Sequence, residues 1–214
     1  MPWPMVHFAV TYKLSFSDPS PAFLLGSISP DAIHAREHVT RQDKGVTHFV
    51  REERFPSIET LQNACIEYLD KDRNAEWKEF ILGYFAHIYT DIRWTETLYV
   101  DFEQQYSGDP AETRKTYHRE VSQLEFDLLK HKAWAKDALI KLRQAHAFAL
   151  DPFLTRDEVG RYRDSKIKWL QNNHNEPGIQ NIYFQEGNAN HFIENTANEL
   201  KELFQAWGID TKGE

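Results

Sequence analysis

A chain of 214 residues with 33 acidic against 25 basic side chains carries a formal charge of −8, which argues against coating nucleic acid through phosphate contacts and counterion release. Its 41% hydrophobic and 14% aromatic content is enough to bury the core of one full-sized domain, 1–214, and no Gly/Ser linker, low-complexity tract or fixed-period repeat divides it. The single cysteine, Cys65, excludes an intrachain disulfide framework and a cysteine-based zinc knuckle, so any metal must be held by His and carboxylate groups.

Strand signals are nearly absent. In chain order, helical patterns are predicted at about 4–13, 20–26, 30–36, 57–71, 74–105, 109–131, 132–147, 155–173 and 187–206. Start signals support several of them. Pro30 makes Ser29 a natural cap, Ser57 precedes Ile58 with Glu59 in the first turn, Asp109-Pro110 opens the next helix, and Thr155 with Glu158 three residues on forms a capping-box pattern. The expectation is an all-α, single-domain multi-helix bundle. The opening segment Met1-Pro-Trp-Pro-Met-Val-His-Phe-Ala-Val10 lacks the basic start and cleavage site of a signal peptide, and no run approaches the roughly 20 apolar residues of a membrane span. A cytoplasmic protein without a transmembrane segment is expected.

The most informative stretch is Phe80-Ile-Leu-Gly-Tyr-Phe-Ala-His-Ile-Tyr-Thr-Asp91. Trp77, Phe80, Ile81, Tyr84, Ile88 and Asp91 share one core-facing stripe, with His87 beside it, so an imidazole and a carboxylate four residues apart point into the interior. A lone buried carboxylate would sooner take up a proton, whereas a bound dication reverses that preference and holds Asp and neutral His together. The alternative is a buried His–Asp hydrogen bond that only stiffens the helix.

Other candidates lie nearby in sequence. His7 and His48 have apolar neighbours, and Asp31 and His34 are an i,i+3 pair on a short helix. The set His7, Asp31, His34, His48, His87 and Asp91 offers donors for one or two metals, with Asp91 able to bridge. Imidazole-plus-carboxylate sites suit zinc, iron, nickel or manganese better than calcium.

The order of Met1-Pro-Trp-Pro-Met-Val-His7, Ser29-Pro-Asp-Ala-Ile-His34, Thr47-His48-Phe49 and Gly83-Tyr-Phe-Ala-His-Ile-Tyr-Thr-Asp91 resembles the zinc-dependent phospholipase C family, whose wider relatives include single-strand-specific nucleases. The resemblance covers about the first 100 residues. It implies a helical bundle of the phospholipase C/nuclease type that hydrolyses phosphodiesters or phospholipid-like substrates with metal-activated water, zinc being the first candidate. It also implies that His7 and Asp91 share one ion while Asp31, His48, His87 and Asp91 surround another, with Asp31 where a general base would act. Arg36 or Arg93 would neutralise the phosphate, and Tyr84 or Tyr89 would donate to it. The chain departs from the family in two respects. Trp3 is not N-terminal, and no second His-x-x-x-Glu/Asp pair follows, only His118, Glu120, Glu125, His191 and Glu194 as substitutes. The alternative function is a non-catalytic helical protein with a structural metal or buried His–Asp hydrogen bonds.

Overall fold

Pro4 starts the first helix, α1 (Pro4–Leu14), where its missing N–H costs nothing, and every residue of α1 except Lys13 is buried. A helix with no polar face belongs in the middle of a bundle, and α1 is packed by later helices on several sides. The computed structural model describes residues 1–15 and 18–209. Among these there are ten α-helices and no strands, only two isolated bridges, Arg51 with Arg54 and Leu150 with Leu154. No described helix is long and apolar enough to cross a membrane.

After α1 come α2 (Pro21–Gly26), capped by Ser20, and a 3₁₀ segment, Ser29–Ala35. Ser29 does not cap that segment as expected; its hydroxyl donates to the Leu25 carbonyl oxygen at 2.7 Å. Next are α3 (Arg41–Thr47), α4 (Ile58–Asp70) and the long α5 (Ala75–Glu96), the last opened by Asn74. The single helix expected over 74–105 is two. Thr97 leaves helical geometry at φ −121° and ψ −90°, its hydroxyl donates to the Arg93 carbonyl oxygen, and α6 (Leu98–Gln105) begins after it. The chain continues with α7 (Thr113–His131), α8 (Ala135–Gln144), α9 (Arg156–Leu170) and α10 (Glu186–Ala206).

α5 is the spine, contacted by α1, α2, α4, α6 and α10. α2 lies against it more closely than side chains normally allow. A Cβ on Gly26 would sit 2.0 Å from the Phe80 carbonyl oxygen, and one on Gly83 2.3 Å from that of Phe23. Two glycines therefore let backbone meet backbone, and the residue just past α2, Ser27, presents its carbonyl to the next turn of α5.

The long connection 171–185 is fastened by side chains of α7. One Glu120 carboxylate oxygen accepts the backbone N–H groups of Ile182, Tyr183 and Phe184, and the Gln123 side-chain oxygen accepts that of Ile179. Glu158 closes the capping box with Thr155 at the start of α9 and pairs with Arg36, tying α9 to the 3₁₀ segment.

Candidate metal centre

His87 and Asp91 occupy successive turns of α5 and are 1% and 0% exposed. His87 is oriented by backbone. Its Nδ1 lies 2.8 Å from the Ser27 carbonyl oxygen, an acceptor that requires an N–H, so Nε2 is the atom left for the interior. His48, just past α3, repeats the arrangement with Nδ1 at 2.9 Å from the Lys44 carbonyl oxygen. The two Nε2 atoms meet at 3.3 Å.

Asp91 stands between the rings. Its Oδ2 is 3.4 Å from His48 Nε2 and 3.5 Å from His87 Nε2, and its Oδ1 is 3.6 Å from His7 Nε2. None of these is a formed hydrogen bond: both Asp91 oxygens and both His7 ring nitrogens are buried and unpartnered. The His7 ring stacks on His87 with centroids 3.9 Å apart and planes 11° from parallel. Asp31 joins from the 3₁₀ segment, with Oδ1 3.6 Å from His48 Nε2.

Ring nitrogens turned toward one another around an unpaired carboxylate are stable only with a cation among them, whether a proton or a metal ion. Burial disfavours a protonated His87, but the charges of Asp91 and Asp31 outweigh burial and raise the imidazole above its ordinary value. Burial and the neighbouring His87 hold His7 well below that value, and burial lowers His48. Burial works against the Asp91 anion, yet His87 and His48 hold its carboxyl well below the usual range. The ligating atoms of His7, His87 and Asp91 all lie within 4.8 Å of one another, as do those of Asp31, His48 and His87. Rings fixed through Nδ1 to backbone carbonyls are the usual support for imidazole ligands, so these buried groups can hold a metal ion.

Comparisons with protein-family models, with curated proteins and with solved structures find no match.

The structure brings His7, Asp31, His48, His87 and Asp91 together. His34 stands apart, 46% exposed, with Nε2 4.0 Å from Asp31 Oδ1 and outside both groups. Arg36 is engaged elsewhere: its Nε is 2.5 Å from Glu158, and its Nη2 donates to the Phe153 carbonyl oxygen at 2.8 Å. Arg93 and Tyr89 both bind Glu199 of α10, and the Tyr84 hydroxyl donates to the Thr47 carbonyl oxygen, pinning α3 beside His48.

The downstream substitutes have other partners. Glu120 holds the 171–185 connection, and Glu125 accepts the Met5 N–H with both oxygens, anchoring the start of α1 two residues before His7. His118 accepts from Arg114, His191 meets Asn195, and Glu194 faces Lys13. Among the described residues, none of these five enters a potential ligand group.

Sequence reasoning missed Lys44. Its Nζ is 2.7 Å from Asp31 Oδ1 while its carbonyl orients His48 one turn later, so one residue serves two ligands. Burial opposes the Lys44 ammonium, but Asp31 and Asp91 outweigh it and raise its pKa. The Thr40–Asp43 capping box was the available signal for this short helix. Ser27 acts through its carbonyl, a group every residue has, and left no mark in the sequence.

Proposed function

We propose that the protein is a metal-dependent hydrolase of phosphoesters that holds two divalent ions, zinc first among the candidates, with Asp91 as their bridge. The observation that carries this reading is the opposition of His48 Nε2 and His87 Nε2 at 3.3 Å beside a carboxylate with no hydrogen bond. Imidazole lone pairs lie in the ring plane, so the nearly parallel rings of His7 and His87 do not aim at one point. His7 with Asp91 would hold one ion, and His48, His87, Asp91 and Asp31 would hold the other. Bound divalent ions lower the pKa of water to around 7 and offset the charge developing on a phosphoryl group.

The residues themselves divide the remaining tasks. Asp91 holds the two halves in register, and Ser27 and Lys44 fix the rings of His87 and His48 through their carbonyls. Asp31 is the ligand on the solvent side, 17% exposed where the other four are 2% or less. Lys44 overcomes the effect of burial and holds the Asp31 carboxyl below the usual carboxylate range. At the solvent side of the centre the Asp31 carboxylate would accept a hydrogen bond from the attacking water and orient it.

A second reading, a structural metal in a non-catalytic protein, is favoured by the near-complete burial of His7, His48, His87 and Asp91. The test is metal content per chain after purification without chelator or affinity-tag histidines, with thermal stability and hydrolysis of bis(4-nitrophenyl) phosphate and 4-nitrophenyl phosphate measured before and after chelation. About two ions and chelator-sensitive hydrolysis support the hydrolase. Bound metal with loss of stability on chelation and no hydrolysis supports the structural role. No metal uptake after adding zinc, iron or manganese overturns both.

A further inference from the structure

Lys166 on α9 is a partly buried ammonium, and among the described residues no carboxylate lies within ion-pairing distance of it. Its Nζ rests 5.0 Å from the centre of the Tyr162 ring and 5.9 Å from that of Trp3. Such contacts offset only part of what dehydrating an unpaired charge costs. Burial accordingly pushes Lys166 below the ordinary lysine range. A cation kept in that condition is suited to an anion that arrives from solution.

Its position says which anion. Tyr162, one turn earlier on α9, is buried and lies beside Asp31, so Lys166 projects on the Asp31 side of the centre, where Lys44 also sits. Asp31 and Lys44 are 17% and 25% exposed, which makes this the side open to solvent. Two divalent ions would exceed the charge of Asp31 and Asp91, and the two ammoniums enlarge the excess. Glu125 does little to offset it, because burial pushes that carboxyl up to about 8.

We propose that Lys166 and Lys44 form an anion-recognising pair at the solvent side of the metal centre, selecting phosphomonoesters, which are dianionic at neutral pH, over zwitterionic phosphodiesters. The inference rests on the metal-centred reading for its location. A dianion brings the charge the site lacks, whereas a quaternary ammonium headgroup would be set against two fixed cations.

Titration calorimetry of the metal-loaded full chain with inorganic phosphate tests the pair, with metal content and circular dichroism measured on the same samples. Lys166→Gln is expected to weaken phosphate binding by about tenfold or more, the loss of a charge-assisted hydrogen bond, while Lys166→Arg retains most of it and Lys44→Gln weakens it as well. The kcat/KM for 4-nitrophenyl phosphate should exceed that for 4-nitrophenyl phosphorylcholine. Equal phosphate affinity in the wild type and Lys166→Gln at equal metal content, or preference for the choline ester, overturns the proposal. A wild type that takes up no metal yet binds phosphate through Lys166 overturns the metal-centred reading and retains the anion site.

Discussion

His48 and His87 present Nε2 to Nε2 at 3.3 Å, and neither ring can turn away without abandoning a backbone carbonyl, that of Lys44 for one and Ser27 for the other. On the proposed two-ion reading, because the rings are fixed from behind, removing single side chains should remove ions selectively. His7→Ala is expected to lose one of two metals and His48→Ala the other, whereas Asp91→Ala, which faces all three imidazoles, loses both. Elemental analysis of the three variants checks this. Retention of full metal content in Asp91→Ala would sink the bridging role.

The contact between α2 and α5 gives a prediction in which two effects have opposite sign. Replacing a mid-helix glycine by alanine ordinarily stabilises by about 0.5–1 kcal/mol. At Gly83 the new Cβ would lie 2.3 Å from the Phe23 carbonyl oxygen and 2.8 Å from the Ser27 backbone nitrogen, atoms that cannot swing aside. Overpacking of that kind costs about 1–3 kcal/mol or more, so Gly83→Ala should be destabilised overall in a denaturant titration. It should also weaken metal binding, since moving α2 withdraws Ser27 from His87. A more stable Gly83→Ala protein would show that the helices separate at little cost.

Glu120 is a structural carboxylate. Glu120→Ala would leave the N–H groups of Ile182, Tyr183 and Phe184 without their acceptor, at about 1–3 kcal/mol for each one that stays buried. Hydrogen exchange should accelerate at these three amides before it does so in α5. Unchanged protection there would mean that water replaces the carboxylate without loss.

Much of this architecture is legible in the residues, for identifiable reasons. α5 announces itself because its apolar stripe runs without a break from Trp77 to Asp91 and packs into the core. α3 does not, because Arg41–Thr47 buries only Thr47 and is held by its capping box and by the Tyr84 hydroxyl. The break at Thr97 is equally hidden, since apolar residues continue past it and the cause is local geometry. Within the centre, His7, Asp31, His48, His87 and Asp91 are the donors that apolar neighbours or motif order singled out. Lys44 and Lys166 escaped notice because long cationic side chains ordinarily keep their charge in water, and only the packing of α3 and α9 reveals that these two are drawn inward. Arg36 looked suited to phosphate because it is close to Asp31 in the chain, yet Glu158, 122 residues away, has the stronger geometric claim.

That ion pair sets a pH dependence of known sign. The Arg36 guanidinium, with help from the Thr155 backbone and hydroxyl, holds the Glu158 carboxyl at about 2 against an ordinary 4.5. A carboxyl depressed in the folded state contributes stability that is complete above the unfolded value and lost as pH falls through the folded one. The contribution should therefore be intact above about pH 4.5 and disappear toward pH 2. Arg36→Ala removes the main cause of the depression, so urea titrations across this window should give a shallower acid limb than the wild type, together with lower stability at neutral pH. Parallel limbs in the two proteins would mean that Arg36, 38% exposed, is too well solvated for the pairing to bear on folding.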